Sequence, residues 1–342
     1  MTNTQFEQIK ELLSTPQSIS IIPHRNPDGD AIGSSLALYH FLKVKHDVCV
    51  VAPNDYPSFL KWLPGNETVK FFDKQNNQSK KVLNKASIVF LLDFNVLHRI
   101  GEDMAKTVAE FKGTFVMIDH HQQPDTDLTD YIYSDTSICS TSQMIYHFLE
   151  KLGAVDKVDE AIASCLYTGI MTDTGSFRFP STTSTTHRII ASLIDKGANN
   201  AQIHNQVYDT NSYGRLQLLG CALRNLKLVE SYKTAYILLS QAELDQNNFQ
   251  KGDTEGVVNY ALSLEGIIFA AIFIEDVEQK IIKISLRSKG SFSVNQFSRN
   301  HFNGGGHDNA AGGRSELTLE GTAHKFESLL PEYELELKKT DV

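Results

Sequence analysis

The stretch TFVMIDHH at residues 114–121 decides the fold, together with SIVFLLDF at residues 87–94. Each is a short apolar run, rich in β-branched and aromatic residues, with acidic or histidine side chains at its end. Runs of this kind are typical of buried strands in a parallel sheet. Two further apolar runs come earlier in the chain, SISIIP at residues 18–23 and VCVVAP at residues 48–53. We therefore predict that these runs lie in one sheet.

Helix-like segments alternate with these strands. The clearest are ALYHFLKV at residues 37–44, STSQMIYHFLEKL at residues 140–152 and THRIIASLIDKG at residues 186–197. The alternation predicts an α/β fold, in which helices cover both faces of a parallel sheet. In such sheets, ligands bind beyond the carboxyl ends of the strands. The polar stretch KQNNQSKK at residues 74–81 is expected to form a surface loop.

The pattern changes in the second half of the chain. LKLVESYKTAYILLS at residues 226–240 is typical of a β-hairpin, and a helix, two strands, a glycine cluster and an acidic terminal helix are predicted after it. We therefore predict a first α/β domain over residues 1–190 and a helical connector over residues 191–228. A smaller α+β domain is predicted over residues 229–342.

The composition, with 41% hydrophobic and 21% charged residues, is that of an ordinary soluble globular protein. A formal net charge of −9 argues against long nucleic acids as partners, because these need a broad basic surface. The cysteines form no C-x-x-C pair, which favours a reducing compartment over a zinc cluster. The amino terminus lacks the apolar segment of a signal peptide, and the apolar run at residues 267–274 is too short to cross a bilayer. We expect a cytoplasmic protein with no membrane partner.

Potential metal ligands follow the first predicted strand. His24, Asp28 and Asp30 lie in a stretch with Pro and Gly that must form a loop. Carboxylate oxygens and imidazole nitrogens together suit Mn²⁺ or a similar divalent ion. The alternative is a turn followed by a helix cap, because Asp30 precedes a helix-like segment. This motif alone leaves both interpretations open.

More potential ligands close later elements. Asp93 ends one strand, and Asp119, His120 and His121 end the next. Neighbouring residues of an extended segment point in opposite directions, so we expect one histidine to bind metal and the other to face substrate or a supporting residue. Asp173 ends a helix-like segment, where a carboxylate is unfavourable unless a positive charge such as a metal ion lies nearby.

Packed together without cations, these carboxylates would repel one another and raise each other's pKa values. Two divalent ions about 3.5–4 Å apart would remove the conflict, because they can share a carboxylate and act together in phosphoryl transfer. The complete set comprises Asp28, Asp30, Asp93, Asp119 and Asp173 with His24, His120 and His121.

The glycine cluster GGGHDNAAGG at residues 304–313 is a candidate anion site. Glycines let the backbone approach an anion closely, and guanidinium groups suit phosphate oxygens. The residues concerned are Gly304, Gly305, Gly306 and His307, with Arg287 and Arg314. A plain loop is the alternative. Phe302, beside the cluster, is a candidate for stacking on a base.

The motifs HRNPDGDAIGS, LLDF, DHH and TDTGSF occur in the order of the four motifs of the DHH phosphoesterases, which the first half of the chain resembles. GGGHDNAAGG, preceded by Ser285, Leu286, Arg287 and Ser288, is similar to the DHHA1 substrate-binding domain. The resemblance implies a parallel-sheet DHH domain and a smaller α+β DHHA1 domain across a cleft.

The resemblance also implies a metal-dependent enzyme with two divalent ions, which we expect to be Mn²⁺. One ion would be held by His24 and Asp28, the other by Asp30, His120 and Asp173, and Asp93 would bridge both. Hydroxide rather than a side chain would attack the phosphorus atom, so no covalent enzyme intermediate is expected.

Two further roles follow from the resemblance. Asp119 would orient a ligand, and His121 would stabilise the charge of the scissile phosphate or protonate the leaving oxygen. The phosphate end of the substrate would be bound by Arg287, Ser288, Gly304, Gly305, Gly306, His307 and Arg314.

Bifunctional members of the family shorten RNA fragments of a few residues and dephosphorylate 3′-phosphoadenosine 5′-phosphate (pAp), and the resemblance implies this activity. We expect short RNA oligonucleotides or nucleotide bisphosphates as substrates, and the sequence leaves a homodimer open. One alternative is a phosphodiesterase for cyclic di-AMP or its linear product pApA. Another is a nucleotide-binding module that has lost catalysis, but every ligand-type position is filled, which argues against it.

Overall fold

The computed structural model describes residues 1–340 and divides into two compact units, Met1–Thr210 and the part from Asn211 onward. The division falls within the stretch 191–228, for which a helical connector is predicted. Among the described residues, no helix is long and apolar enough to cross a membrane.

The first unit contains a parallel sheet of six strands in the order β3-β2-β1-β4-β5-β6. The strands are β1 (Ser18–Pro23), β2 (Asp47–Ala52), β3 (Lys70–Phe71), β4 (Ile88–Leu92), β5 (Thr114–Asp119) and β6 (Tyr131–Ser134). After β1 the chain first builds outward to β2 and β3, then returns to place β4 on the other side of β1. The carboxyl ends of β1 and β4 therefore flank the topological switch point, where open α/β sheets bind ligands.

Helices cover both faces of this sheet, as predicted. They are α1 (Asn3–Leu12), α2 (Gly29–Leu42), α3 (Asn76–Lys85), α4 (Glu102–Ala109), α5 (Thr141–Lys151), α6 (Glu160–Asp173), α7 (Ser184–Asp195) and α8 (Asn200–Tyr208). One apolar core joins one face to α1, α2 and α5–α8, and a second joins the other face to α3 and α4. The loop predicted at 74–81 is wrong: α3 begins at Asn76, and Leu83 anchors it in the second core.

Close packing of two helices brings distant parts of the chain to the switch point. A β-carbon added to Gly33 of α2 would lie 2.6 Å from the backbone oxygen of Cys165, and one added to Gly29 would lie 2.3 Å from Oγ1 of Thr172. Glycine at both positions permits this close approach of the two helices, because it has no β-carbon. The start of α2 therefore lies against the end of α6, where Asp173 is located.

The second unit contains a mixed sheet of six strands in the order β11-β12-β10-β9-β8-β7. Its elements are α9 (Tyr213–Arg224), β7 (Lys227–Val229), β8 (Thr234–Leu239), α10 (Gln241–Gln246), α11 (Val258–Leu262), β9 (Phe269–Asp276), β10 (Ile281–Ser288), α12 (Val294–His301), β11 (Gly305–His307), β12 (Ala310–Ser315), α13 (Leu319–Leu329) and α14 (Glu334–Lys339). Among the described strands of this second sheet, only β8 and β9 pair in parallel. Two apolar cores cover the two faces, so the predicted smaller α+β fold is confirmed.

The glycine cluster belongs to this sheet and is not a plain loop. It forms the antiparallel pair β11–β12, in which Gly306 has a φ of 147°. A β-carbon on Gly304 would lie 1.9 Å from the backbone oxygen of Gly312. The proposed stacking of Phe302 on a base is wrong, because this ring is 1% exposed and packs in the core beneath the sheet.

Candidate metal centre and phosphate-binding surface

The loop after β1 places His24 and Asp28 side by side. Nε2 of His24 lies 3.7 Å from Oδ2 of Asp28 and 3.5 Å from Oδ2 of Asp93. Nδ1 of His24 lies 2.8 Å from the backbone oxygen of Arg25, a contact that fixes the ring and directs Nε2 toward the carboxylates. Oδ1 of Asp28 accepts two backbone N–H bonds of 3.0 Å in the first turn of α2. Asp28, rather than Asp30, therefore caps this helix.

Asp30 lies in the first turn of α2, and its carboxylate meets the start of α5. Oδ2 accepts a 2.6 Å hydrogen bond from the backbone N–H of Thr141, and Oδ1 accepts a 2.8 Å bond from that of Ser142. Burial raises the pKa of Asp30 well above its usual value, and the carboxylates of Asp93 and Asp173 raise it further. A cation close to Asp30 would offset this repulsion.

Asp93 lies at the centre of the group and is 2% exposed. Its Oδ2 faces His24, while Oδ1 lies 3.5 Å from Nε2 of His120 and accepts a 2.9 Å bond from the hydroxyl of Thr141. The backbone of Asp93 has a φ of 66°, in the left-handed region that a side chain rarely adopts. Strain of this type is typical of functional sites, where neighbouring structure holds the residue in place.

His120 is enclosed by carboxylates. Its Nε2 lies 3.4 Å from Oδ2 of Asp173 and 3.9 Å from Oδ2 of Asp30, and its Nδ1 lies 3.2 Å from the backbone oxygen of Ile138. Asp173 is the last residue of α6, where the helix dipole disfavours a carboxylate and a positive neighbour stabilises it. A turn with positive φ angles follows at Gly175, Ser176 and Phe177.

His121 is held differently from His120. Its Nδ1 lies 2.7 Å from Oδ1 of the fully buried Asp119, whose Oδ2 accepts a 3.0 Å bond from the backbone N–H of His121. The His121 side chain is 18% exposed, against 5% for His120. Both rings nevertheless lie within 4 Å of Asp93. The strand β5 ends at Asp119, before the two histidines. The alternation of side-chain direction along a strand therefore does not apply to His120 and His121.

The protonation of this centre shows what kind of ligand it fits. Burial lowers the pKa of His24, but the carboxylates of Asp28 and Asp93 outweigh burial and raise this pKa to about 10. Burial likewise opposes protonation of His120, whose pKa rises to about 9 because of Asp173 and Asp93. Protons therefore supply the positive charge that the carboxylates demand. Divalent cations coordinated by the same oxygen and nitrogen atoms would supply it in their place.

Three groups of potential ligand atoms, each spanning no more than 4.8 Å, meet at Asp93. They are His24, Asp28 and Asp93; Asp30, Asp93 and His120; and Asp93, Asp119 and His121. The donor set is hard, with carboxylate oxygen and imidazole nitrogen, and suits Mn²⁺ or Mg²⁺ better than a thiolate-binding ion. In the sequence these side chains stand at the ends of three different strands, and the structure brings them together. Asp173, at the end of α6, joins them through its 3.4 Å contact with His120.

Both units match known protein families in sequence. A model of the DHH family N-terminal domain matches residues 18–170, and a model of the DHHA1 domain matches residues 231–339. The chain is also 30% identical to the probable bifunctional oligoribonuclease and PAP phosphatase NrnA of Streptococcus mutans, over 93% of this chain and 96% of that protein. The chain belongs to the DHH/DHHA1 phosphoesterases.

Two further comparisons agree with this membership. The phosphoesterase is 30% identical to the bifunctional oligoribonuclease and PAP phosphatase NrnA of Bacillus subtilis, over 86% of this chain and 88% of that protein. Its fold matches the crystal structure of an exopolyphosphatase-related protein from Bacteroides fragilis with a TM-score of 0.93 and 39% identity, covering 99% of this chain and 98% of the other.

The DHHA1 unit of this phosphoesterase aligns several of the predicted phosphate-binding residues. His307 of β11 pairs with Ala310 of β12, which pairs with Arg287 of β10, so His307 and Arg287 share one row about 10 Å apart. Arg314 pairs with Lys283, an even number of residues from Arg287, and is exposed on the same face. These positions form one surface, which we call the basic face.

Ser288 lies apart from the basic face. It follows Arg287 on β10 and is 6% exposed on the opposite, core-facing side. Its hydroxyl donates to the backbone oxygen of Phe292 at 2.6 Å and accepts from the side-chain amide of Asn309 at 2.9 Å. The structure therefore gives Ser288 contacts that hold the loop after β10.

Two further residues of the DHH unit contact the candidate site, and no sequence pattern indicated them. Thr141 contacts both Asp30 and Asp93, although it is 111 and 48 positions away from them along the chain. The side-chain amide of Asn95 donates to the backbone oxygens of His121 and Gln122 at 3.1 and 3.0 Å. Thr141 follows the N-cap Ser140 and Asn95 follows a strand, and polar residues are ordinary at both places. Tertiary packing alone brings them to the centre.

Proposed function

We propose that this DHH/DHHA1 enzyme hydrolyses phosphate esters of short nucleotides with two divalent metal ions, converting pAp to AMP and shortening RNA of a few residues. The observation that carries the two-metal proposal is the position of Asp93. Its two carboxylate oxygens face two separate histidines, His24 at 3.5 Å and His120 at 3.5 Å. A carboxylate placed in this way is suited to bridging a pair of ions.

The remaining ligands divide naturally between the two sides of Asp93. His24 and Asp28 would hold one ion, and Asp30, His120 and Asp173 would hold the other. We propose Mn²⁺, since the ligands combine carboxylate oxygen with imidazole nitrogen. The bound ions would act as Lewis acids on the phosphate and lower the pKa of water at the site.

His121 and Asp119 are proposed to act on the substrate rather than on the metal ions. Asp119 fixes the ring through Nδ1 at 2.7 Å, so any contact with the substrate must use Nε2. Burial lowers the pKa of His121 to about 3, which keeps the ring neutral before substrate binds. An anionic phosphate and the Asp119 carboxylate would both stabilise the imidazolium form. His121 is therefore suited to take up a proton from water at Nε2 once an anionic phosphate is bound, and to hold that proton next to the leaving oxygen.

The basic face is proposed to bind the phosphate end of the substrate. Arg287 and Arg314 offer guanidinium groups, and His307 lies in the same row as Arg287. Gly304, Gly305 and Gly306 would let the backbone approach the phosphate, while Ser288 would act only by holding the neighbouring loop. The choice of short nucleotides as substrates is supported by the names of the S. mutans and B. subtilis relatives. The net charge of −9 agrees with short rather than long nucleic acids.

One experiment tests the proposal directly. Purified protein is incubated with Mn²⁺ and, separately, with pAp, di- to pentanucleotide RNA, pApA, cyclic di-AMP, pyrophosphate and polyphosphate. Release of AMP from pAp and of mononucleotides from RNA is expected. Polyphosphate belongs in the panel because the B. fragilis neighbour is described as related to an exopolyphosphatase.

The other outcomes are equally informative. Cleavage confined to cyclic di-AMP and pApA would replace the proposed substrates with signalling nucleotides. Absence of any cleavage, despite two bound Mn²⁺ ions, would favour a binding module. The Asp93→Asn variant is the matched control, because it keeps the side-chain shape and removes the charge. Hydrolysis at the wild-type rate in this variant would point to a contaminant.

A further inference from the structure

The first turn of α5 contacts two carboxylates of the candidate metal centre. The backbone N–H groups of Thr141 and Ser142 each donate to one oxygen of Asp30, at 2.6 and 2.8 Å. The hydroxyl of Thr141 donates to Oδ1 of Asp93 at 2.9 Å. Thr141 is fully buried, and Asp30 and Asp93 are 1% and 2% exposed. Thr141 is thus the residue that holds both carboxylates.

These contacts constrain the carboxylates strongly. A bound cation would keep both carboxylates ionised, and hydrogen bonds to an ionised acceptor in a buried site are stronger than those between neutral groups. Asp30 receives its two bonds from consecutive backbone N–H groups in the first turn of α5. The orientation of its carboxylate therefore depends on the position of that helix. The third bond fixes Asp93, whose backbone has the strained φ of 66°. Both side chains are therefore oriented by the same rigid element.

We propose that Thr141 is a positioning residue that sets the relative placement of the two metal sites. Its backbone orients Asp30 for one ion, and its hydroxyl orients the Asp93 carboxylate that both ions share. This inference rests on the proposed two-metal function. In this proposal Thr141 does not contact the substrate and acts only through the two carboxylates.

Three substitutions separate the two contacts. Thr141→Ser keeps the hydroxyl and the N–H group. Thr141→Val keeps the shape and the N–H group but removes the hydroxyl. Thr141→Pro removes both donors, and it suits the first helical position, which follows the extended Ser140. Thr168→Val is the matched control, because Thr168 is equally buried and its hydroxyl donates only to the backbone oxygen of Ser164, at 2.8 Å.

The measurement is calorimetric titration of the metal-free protein with Mn²⁺, at a temperature where every variant is folded by circular dichroism. Supporting contacts of this kind typically change metal affinity about 10–100-fold. We expect Thr141→Val to raise both Kd values about 10-fold, and Thr141→Pro to raise them further. We expect Thr141→Ser to stay within about 3-fold of the wild type, and Thr168→Val to match the wild type.

Two results would overturn the proposal. One is an unchanged Mn²⁺ affinity in Thr141→Val, even if its melting temperature falls as in Thr168→Val, since a merely structural role has that signature. The other is a Thr141→Ser variant as impaired as Thr141→Val, since the hydroxyl would then not be the active group. If Thr141→Pro does not fold, the serine and valine variants still decide. Failure of the wild type to bind two Mn²⁺ ions would instead contradict the proposed two-metal function.

Discussion

Asp119 grips His121 at two points: one carboxylate oxygen lies 2.7 Å from Nδ1, and the other accepts the backbone N–H at 3.0 Å. The Nε2 of the neighbouring His120 lies instead among three other carboxylates, those of Asp173, Asp93 and Asp30, at 3.4, 3.5 and 3.9 Å. Two adjacent histidines therefore have different surroundings. This difference supports the proposal that His121 acts on the substrate while His120 binds metal.

Replacing Asp119 by Asn should impair turnover without emptying the metal centre. The amide can donate to Nδ1 and thereby favour the wrong tautomer of His121, as well as removing the charge that stabilises an imidazolium. We expect kcat for pAp to fall at least about 100-fold, the lower limit for loss of general acid–base catalysis. Steady-state kinetics and Mn²⁺ stoichiometry measured on the same sample check this. Loss of bound Mn²⁺ in proportion to kcat would assign Asp119 to metal binding.

The parallel sheet, and the set of residues that lie together at its edge, could be predicted from the sequence alone. Strands such as Ile88–Leu92 are continuous apolar runs, and parallel strands carry the residues that follow them to one edge. The helix α3 was not predicted, because it begins with the polar residues Asn-Asn-Gln-Ser-Lys-Lys. Its one deeply buried apolar residue, Leu83, lies near its end. The bonds of Thr141 were also beyond prediction, since they depend on how α5 meets α2.

Asp93→Ala is expected to abolish turnover and to lower metal occupancy at both sites. The Asp93 oxygens face both His24 and His120, so in the proposed two-metal arrangement its removal would take a ligand from each ion. The expected loss in kcat/KM exceeds that of any other single ligand. Metal analysis after gel filtration, combined with hydrolysis of pAp, provides the test. A variant that keeps two tightly bound Mn²⁺ ions would show that Asp93 does not bridge them.

Arg287→Ala should mainly raise KM for substrates that carry a terminal phosphate. A hydrogen bond to a charged group contributes about 1.5–3 kcal/mol, which corresponds to roughly a 10–100-fold change in KM. We expect kcat and metal occupancy to change little, because Arg287 lies on the basic face of the DHHA1 unit. Kinetics with pAp, and with a dinucleotide that lacks the terminal phosphate, would separate the two effects. Equal losses in kcat for Arg287→Ala and Asp93→Ala would contradict this division of roles.

Metal affinity should rise steeply with pH. In the metal-free protein the pKa values of His24 and His120 are raised to about 10 and about 9, so both rings are protonated at pH 7. An ion that binds both rings must displace these protons, so affinity rises by up to about 100-fold per pH unit if two protons leave. Titrations with Mn²⁺ between about pH 6.5 and 8.5 test this. Affinity that does not change over this range would exclude proton displacement.

The same pKa values set the stability of the metal-free protein. Folding raises both values above the 6.5 of an ordinary histidine, so the stabilisation is complete below pH 6.5 and is lost as pH rises through about 9 to 10. We expect the melting temperature of the metal-free protein to fall over this interval. Bound cations replace the protons, so the metal-loaded protein should show a smaller fall. An equal fall in melting temperature with pH for the metal-free and the metal-loaded protein would contradict the substitution of protons by metal ions.

The contact between α2 and α6 should tolerate no added methyl group at Gly33. A β-carbon there would lie 2.6 Å from the backbone oxygen of Cys165 and 3.0 Å from the backbone nitrogen of Gly169. Gly33→Ala should therefore destabilise the protein by about 1–3 kcal/mol, the usual cost of overpacking, and weaken Mn²⁺ binding by separating the ends of the two helices. Gly220→Ala is the matched control, because the added β-carbon would come no closer than 3.9 Å to a described atom, in the Arg224 side chain. Alanine also favours a helix interior over glycine by up to about 1 kcal/mol. Chemical denaturation of both variants decides: if Gly33→Ala is as stable as Gly220→Ala, the two helices do not require this close approach.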